Sequence, residues 1–388
     1  MKMSQESVRE YAESAKCRYK WSSREDKSQI LDEFCASTGH ERKYAIKLLN
    51  GTRRVPRRRG GPKPIYGEKE KGVLKELWLM SDQLCSKLLK PIMPEYIKSY
   101  ERHCGRLPRS VRKKLLEISP ATMDRLLASE RVAEPKWRRR PKPCSGVRHS
   151  VPVHEGIWAV EEPGWLEADS VPHCGGNMSG SFVWSITYTD IDTGWTECRA
   201  VWNRGAHSVL ERTREVEHGL PFELLGFDVD NGGEFLNWHL YRYLRERGDP
   251  VKMTRSRPYH KNDNAHVEQK NWTHVRQLVG YDRFDDPDLV EALNDLYANE
   301  WRLQRNLYCP SMKLISKRRE GKRYIKTYAP AKTPAQRILE SDAVSRANKT
   351  RIRKLQRHND PWDLSISIEL KLKGIFQKAR YVERRQAS

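Results

Sequence analysis

The chain lacks any pair of cysteines at metal-ligand spacing. Its eight cysteines, Cys17, Cys35, Cys85, Cys104, Cys144, Cys174, Cys198 and Cys309, are scattered singly and form no C-x-x-C. That excludes a zinc ribbon and a dithiol redox motif. His149 and His154 have finger-like spacing but no cysteine partners. No apolar run approaches the roughly 18 residues that span a bilayer, and the opening M-K-M-S-Q-E-S has no apolar signal core. The expectation is a soluble, cytoplasmic, reduced protein. Apolar residues are scarce, at 37% with a mean hydropathy of −0.84. The 12 Trp and 16 Tyr nevertheless argue against wholesale disorder. At about 100–200 residues per domain, 388 residues suggest two to four domains.

Negative charge is scarce everywhere but the middle. Residues 1–150 hold 36 Lys and Arg against 18 Asp and Glu, residues 151–310 hold 16 against 26, and residues 311–388 hold 21 against 7. The net charge of +22 points to a polyanionic partner. Basic flanks suit phosphate backbones, and an acidic centre suits divalent metals.

Residues 22–50 read as helix–turn–helix. Ser23 caps a helix through Leu31 and Phe34, S-T-G-H at 37–40 makes the turn, and E-R-K-Y-A-I-K-L-L forms a second helix ending at Asn50-Gly51. Tyr44, Ala45, Leu48 and Leu49 would face inward, leaving Arg42, Lys43 and Lys47 outward as on a recognition helix; an ordinary helical hairpin has the same pattern. The run T-R-R-V-P-R-R-R-G-G-P-K-P at 52–64 is barred from helix by Pro and Gly. It reads as an extended basic arm, with Arg57, Arg58 and Arg59 as DNA contacts or as a solvated linker. Residues 68–130 are helical again, and Ser119-Pro120 starts a helix that presents Thr122, Arg125 and Ser129. A basic linker, E-P-K-W-R-R-R-P-K-P, follows at 134–143.

From about residue 155 aromatic and β-branched runs appear. Strands are expected over 165–170, 181–190, 194–201, 223–230 and 251–256, and helices over 206–218, 233–247, 263–279 and 286–307. Three neighbouring strands followed by alternating helix and strand predict a mixed α/β sheet with helices on both faces. The tail reads as extended over 328–335, helical and basic over 347–358, and helical from Asp360-Pro361 onward.

Three acids stand out within this plan. Asp169 in W-L-E-A-D-S and Asp230 in F-D-V-D-N-G-G-E-F sit at expected strand exits, and Glu268 lies on the helix after the next strand. Carboxylates brought side by side repel unless a cation lies between them, and such oxygen donors suit Mg²⁺ or Mn²⁺. Glu167 and Asp228, two residues earlier on the same strand faces, are rival ligands; the turn residues favour Asp169 and Asp230. Asp263 and Asn264 read as helix caps. Asn231 is a supporting residue, and Lys261, Asn264 and Lys270 are candidate phosphate contacts. Trp195 and Trp272 read as core residues. His173, His260 and His266 are given no chemistry.

The motifs E-A-D-S-V, T-G-W-T-E, D-V-D-N-G-G-E-F and R-P-Y-H-K-N-D-N-A-H-V-E-Q-K-N-W-T-H-V-R, spanning about 165–280, resemble bacterial insertion-sequence transposases with a DDE-type integrase core. The resemblance implies a ribonuclease-H-like five-stranded core and two Mg²⁺ or Mn²⁺ ions held by a triad of Asp169, Asp230 and Glu268. Sixty residues separate the two aspartates and 37 separate Asp230 from Glu268. It also implies a DNA transposase that binds terminal inverted repeats, hydrolyses the phosphodiester at element ends and transfers the 3′-OH into target DNA. Such an enzyme would work as a dimer or higher oligomer on DNA, in a bacterial cytoplasm beside the nucleoid. Rival readings are a DNA-binding regulator with an unused nuclease core and a ribonuclease-H-like nuclease.

The expected organisation is a helix–turn–helix domain at 1–51, a basic linker at 52–66, a second helical DNA-binding domain at 67–133 and a basic linker at 134–154. The catalytic core follows at 155–312 and a basic C-terminal region at 313–388.

Overall fold

Side-chain alternation shapes the central sheet. In the computed structural model, which describes residues 4–51, 65–133, 160, 162–230, 232–256, 265–320 and 323–386, the chain forms two compact units, Met1–Ile65 and Tyr66–Ser388. The linkers expected at 52–64 and 134–154 lie outside the described residues.

The first unit packs three helices, α1 (Gln5–Trp21), α2 (Arg24–Thr38) and α3 (Arg42–Leu49). The Ser23 side chain accepts from the Asp26 N–H, and Gly39, at φ 71°, ends α2 in the left-handed conformation. Phe34 and Ala45 are fully buried, with Ala12, Ala15, Tyr19, Ile30, Leu31 and Leu49 around them. Tyr44 departs from its expected inward position. It is 38% exposed and stacks edge-on against His40, because Ala45 and Leu49, four residues apart, already form the inner stripe of α3. Helix α1, which supplies a third of this small core, went unread in the sequence.

The second unit opens with α4 (Glu68–Met80), α5 (Ser86–Cys104), α6 (Arg109–Glu117), α7 (Pro120–Leu126) and α8 (Ala128–Ala133). Ser119 caps α7, with proline at its start. These helices were expected to stand apart as a DNA-binding domain; they share one hydrophobic cluster with the sheet instead. Tyr96 on α5 is fully buried, and its hydroxyl accepts from Gln304 Nε2 at 3.1 Å. Ser99 and Arg102 donate to Asp360 at the start of the last helix.

Strands β1 (Trp165–Pro172), β2 (Val183–Asp190), β3 (Thr196–Trp202), β4 (Gly226–Val229) and β5 (Lys252–Arg255) form one mixed sheet in the order β3-β2-β1-β4-β5. The first three are antiparallel neighbours, and β4 and β5 add in parallel beyond β1. Helix α9 (Ala206–Gly219) leads to β4, and α10 (Trp238–Arg245) links β4 to β5. After β5 come α11 (Ala265–Lys270), a π-helical segment (Asn271–Arg276) and α12 (Gln277–Val279), then α13 (Asp288–Leu296), a second π segment (Tyr297–Trp301) and α14 (Arg302–Tyr308).

Alternate residues of each strand serve different layers. Leu166, Ala168, Trp184, Ile186, Tyr188, Phe227 and Val229 cluster with Val209, Leu210, Leu240 and Leu244 of α9 and α10. Val171, Val183, Cys198 and Ala200 cluster instead with Val275, Leu289, Leu293 and Tyr297. This second face also carries the buried polar residues Glu167, Ser185, Thr187, Thr189, Asp228 and Thr254. Gly226 sits opposite Trp165, and a Cβ there would meet the indole at 2.1 Å, so the β1–β4 pairing depends on glycine.

The rest of the chain wraps this unit. A two-stranded ribbon, β6 (Leu314–Glu320) and β7 (Arg323–Tyr328), precedes α15 (Pro334–Glu340), α16 (Arg346–His358) and α17 (Pro361–Gln386). The ribbon lies before the stretch read as extended and meets it only at Tyr328, and α15, which starts inside that stretch, has a capping box between Thr333 and Gln336. Ile368 and Ile375 of α17 join the second cluster. Among the described residues, no helix is long and apolar enough to cross a membrane.

The outer edge of the sheet is closed by side chains. Asn294 of α13 accepts from the Ala200 N–H at 2.7 Å and donates to its carbonyl at 2.9 Å. Asn306 of α14 does the same for Thr196, at 2.9 and 2.8 Å. Each asparagine imitates a neighbouring strand and satisfies an edge that would otherwise be orphaned in a buried setting. Asn306→Leu strands both Thr196 backbone groups. At about 1–3 kcal/mol for a buried polar group left without a partner, the variant is expected to lose at least 2 kcal/mol in urea unfolding; a loss below about 0.5 kcal/mol contradicts this role.

Candidate functional site

The parallel ladder between β1 and β4 runs from Trp165↔Gly226 to Ala168↔Val229. The next residues along are Asp169, still within β1, and Asp230, which directly follows β4; neighbouring strands of a sheet lie about 4.8 Å apart. The expectation that Asp169 closes its strand needs correction. Strand β1 continues to Pro172 because its antiparallel pairing with β2 extends to Trp184; only the pairing with β4 stops at Ala168. Asp169 thus stands at the exit of the parallel ladder, inside a continuing strand.

The rival acids lie two residues deeper and are paired in register, Glu167 opposite Asp228, each 1% exposed. Glu167 Oε2 accepts from the Val267 N–H at 3.0 Å, and Asp228 Oδ1 accepts from Thr254 Oγ1 at 2.6 Å. The inner pair is buried within the protein, whereas Asp169 and Asp230 are only half-buried.

Both outer carboxylates are held in place. Asp169 Oδ1 accepts from the Ser170 N–H at 2.7 Å and Oδ2 from Asn271 Nδ2 at 2.6 Å. Asp230 Oδ1 accepts from the Gly232 N–H at 2.9 Å, and a Cβ on Gly232 would lie 2.8 Å from that oxygen. Glu234 is buried beside them; it accepts from Ser170 Oγ at 2.6 Å and pairs with Arg204 at 3.0 Å. Arg204 occupies a left-handed backbone conformation, φ 53°, and its guanidinium lies 3.9 Å from the Trp184 ring centre.

Helix α11 is fastened over the same strand. Val267 bonds Glu167 and Asn271 bonds Asp169, so the backbone of Glu268 lies between two anchors on β1. The π segment begins at Asn271, and such segments recur at functional sites.

Other expected site residues fall in varied places. Lys270 is drawn inward, donating to the Gly194 carbonyl at 3.2 Å. Burial first, then the Arg305 and Arg337 charges, lower its pKa to about 7. Arg42 bridges α3 to Asp32 and Ser28 of α2, while Lys43 and Lys47 are exposed on α3. Arg125 folds back on Thr122 Oγ1 at 3.0 Å. Arg57, Arg58, Arg59, Asn231, His260, Lys261, Asp263 and Asn264 lie outside the described residues, as do the side chains of His266 and Glu268. Trp195 is 1% exposed and donates to Glu197 at 2.9 Å, a core residue as expected, whereas Trp272 is only half-buried. His173 is fully buried, bonded to Ser185 and stacked on Phe284, and burial lowers its pKa to about 3. Asn271, Ser170, Glu234 and Arg204 were missed. Only Glu234, inside D-N-G-G-E-F, carried a local signal.

The donor set is all oxygen, and its charge is poorly compensated. Burial first, and also Glu234, push the Asp230 carboxyl above the ordinary aspartate range, against the Gly232 N–H and Arg204. A divalent cation between Asp169 and Asp230 relieves this, so the residues fit Mg²⁺ or Mn²⁺. Among the described residues a second group, His103, Asp360 and Asp363, has donors within 4.8 Å of one another. Asp360 there is already engaged by Ser99, Arg102 and the Trp362 N–H.

The sheet, an antiparallel trio continued by two parallel strands and flanked by helices, is the mixed α/β sheet expected from the sequence. A known relative extends the comparison to most of the chain. No family model matches it. The chain is 45% identical over 324 residues to the "Uncharacterized protein y4rM" of Sinorhizobium fredii (strain NBRC 101917 / NGR234), which covers 82% of this chain and 91% of that protein, and it belongs to that protein's family. Among solved structures it is similar to the catalytic core domain of BIV integrase, at 15% identity over 46% of this chain and 95% of that one, with a TM-score of 0.30. It is also similar to a chain of the simian T-cell lymphotropic virus intasome in complex with PP2A regulatory subunit B56 gamma, at 11% identity over 61% and 73%, with a TM-score of 0.31. Overlaps this small add nothing to the fold, which rests on the sheet's own order and register.

A carboxyl whose folded pKa is raised favours the fold while protonated. That contribution is full below the unfolded value of about 3.9 and is lost as pH rises through the folded value. Without divalent cations, Asp230→Asn is therefore expected to melt above the wild type at about pH 7, with the difference closing below about pH 4. Mg²⁺ should then raise the wild-type melting temperature and leave the variant nearly unmoved. A variant that melts lower at neutral pH contradicts the electrostatic account of the site.

Proposed function

We propose that this chain is a DDE-type transposase, a metal-dependent polynucleotidyl transferase acting on DNA. The observation that carries the reading is the register that sets Asp169 beside Asp230, with the helix bearing Glu268 pinned over them through Val267 and Asn271. Asp169, Asp230 and Glu268 would hold two Mg²⁺ or Mn²⁺ ions, which supply positive charge for in-line displacement at phosphorus. Asn271 and the Ser170 N–H fix the Asp169 carboxylate, and the Gly232 N–H fixes Asp230. Oriented in advance, these groups lose little freedom when the phosphodiester arrives. Arg204, through Glu234, steadies the loop after β4.

The reaction has two stages at this one site. Hydrolysis at an element end exposes a 3′-OH, and that hydroxyl then attacks a target phosphodiester, one P–O bond forming as another breaks. The helical units before the core and its basic flanks would hold the terminal inverted repeats and the target duplex, with Arg42, Lys43, Lys47, Arg57, Arg58, Arg59, Arg125, Lys261 and Asn264 as proposed contacts and Asn231 in support. Two ends held together require at least two copies of the chain.

The test is cleavage and strand transfer on a duplex carrying the inverted repeat that flanks the reading frame, with Mg²⁺. Asp230→Ala is expected to lower both by at least about a thousandfold, consistent with loss of a group that acts in the transition state, while gel-shift binding of the repeat persists. Undiminished cleavage by the variant contradicts the triad. Binding by the wild type with no cutting at all identifies a DNA-binding regulator instead.

A further inference from the structure

Among the described residues, the β6–β7 ribbon pairs with no other strand. Leu314, Ile315, Tyr324, Ile325 and Tyr328 on it are 38–66% exposed. A two-stranded ribbon is marginal alone in water, yet this one has a firm root. The Ala329 N–H donates to the Lys313 carbonyl at 2.8 Å, and Ser311 and Lys332 form a further bridge. Arg337 donates to Ser311 Oγ, to its carbonyl and to the Thr193 carbonyl at 2.6–2.9 Å. Lys313 pairs with Asp192 at 2.5 Å. The ribbon therefore springs from the turn between β2 and β3, whose Gly194 carbonyl also receives Lys270 from the helix of Glu268.

Its two faces differ in charge. Residues 313–328 contain seven Lys and Arg and one acid, Glu320. The register pairs Arg319 with Tyr324 and Lys326 with Lys317, and Tyr328, two residues beyond Lys326, shares that face. The opposite face carries Arg318 across from Ile325, and there Arg318 pairs with Glu320 at 2.9 Å. One face is thus basic and aromatic with no acid, while the single acid is spent on the other. A bulge between Leu314 and Ser316 adds twist at the base.

We propose that the Arg319–Tyr324–Lys326–Tyr328 face of this ribbon is a binding surface for duplex DNA, an inference that rests on the DNA-transferase reading above. A two-stranded ribbon fits the major groove. Seven residues of strand extend about 23 Å, enough to follow about six base pairs at 3.4 Å each. Lysine and arginine answer the phosphates, and tyrosine offers a flat apolar body with a polar tip. Repulsion between cations disfavours edge-to-edge pairing of two ribbons, so DNA is favoured over a second copy of the chain.

Adjacent residues on opposite faces provide the test. Full-length wild type, Arg319→Ala/Tyr324→Ala/Lys326→Ala and Arg318→Ala/Ile325→Ser are compared for duplex DNA binding by fluorescence anisotropy across a salt series, with thermal melting as the folding control. The ribbon lies outside the core clusters, so all three should melt alike. The first variant is expected to bind at least tenfold more weakly, with a salt slope shallower by about 1.8 for the two lost cations, and the second to stay within about threefold of wild type. Equal losses in both variants overturn the face assignment. Unchanged DNA affinity in the first variant overturns the ribbon proposal while leaving the transferase reading intact, and the proposal falls equally if that variant loses only self-association in sedimentation. Wild type that binds no DNA overturns both readings together.

Discussion

The structure turns on mutual repulsion between carboxylates that the sheet forces together. Parallel pairing of β1 with β4 sets Glu167 against Asp228, and two residues on, just past the last paired residues Ala168 and Val229, come Asp169 and Asp230. Protein donors compensate the inner pair, through the Val267 N–H and Thr254. The outer pair is the more open to solvent. Its hydrogen bonds orient Asp169 and Asp230, but the nearest guanidinium, Arg204, is directed to Glu234. The Asp230 carboxyl accordingly sits above its ordinary range. The arrangement is costly without a cation, and that cost is the physical reason to read it as a metal centre.

Much of the remaining architecture keeps this register in place. Gly226 lets the Trp165 ring lie against β4, and Gly232 lets a backbone N–H reach Asp230. Asparagines from α13 and α14 close the β3 edge. Helices α4–α8 and the long α17 brace α14 from outside, through Tyr96–Gln304 and Ser99–Asp360. The acidic face is thereby set within an otherwise basic chain, where phosphates and divalent cations are attracted to different parts of one surface.

What was legible in the sequence was local. Aromatic and β-branched runs with turn signals between them marked all five strands to within three residues at either end, and Ser23, Ser119 and Asp360-Pro361 marked helix starts. Asp230 was singled out because turn residues follow it, whereas Asp169 was read as a strand end that β1 in fact continues past. The layout of unit two was not legible, because it depends on contacts such as Ser99 to Asp360, 261 residues apart. Asn271 looked like any helix polar residue; only the crossing of its helix over β1 makes it an Asp169 partner. The β6–β7 ribbon was hidden because its charged, alternating residues bury little, so no apolar period announces it.

The central claim is that Asp169 and Asp230 form one cation site. Anomalous diffraction from crystals of the full chain grown with Mn²⁺ tests it most directly. The account predicts a peak between the Asp169 and Asp230 carboxylates, absent from an Asp230→Asn crystal. A peak confined to His103, Asp360 and Asp363, or ordered Asp169 and Asp230 side chains with no metal between them at saturating Mn²⁺, would contradict it.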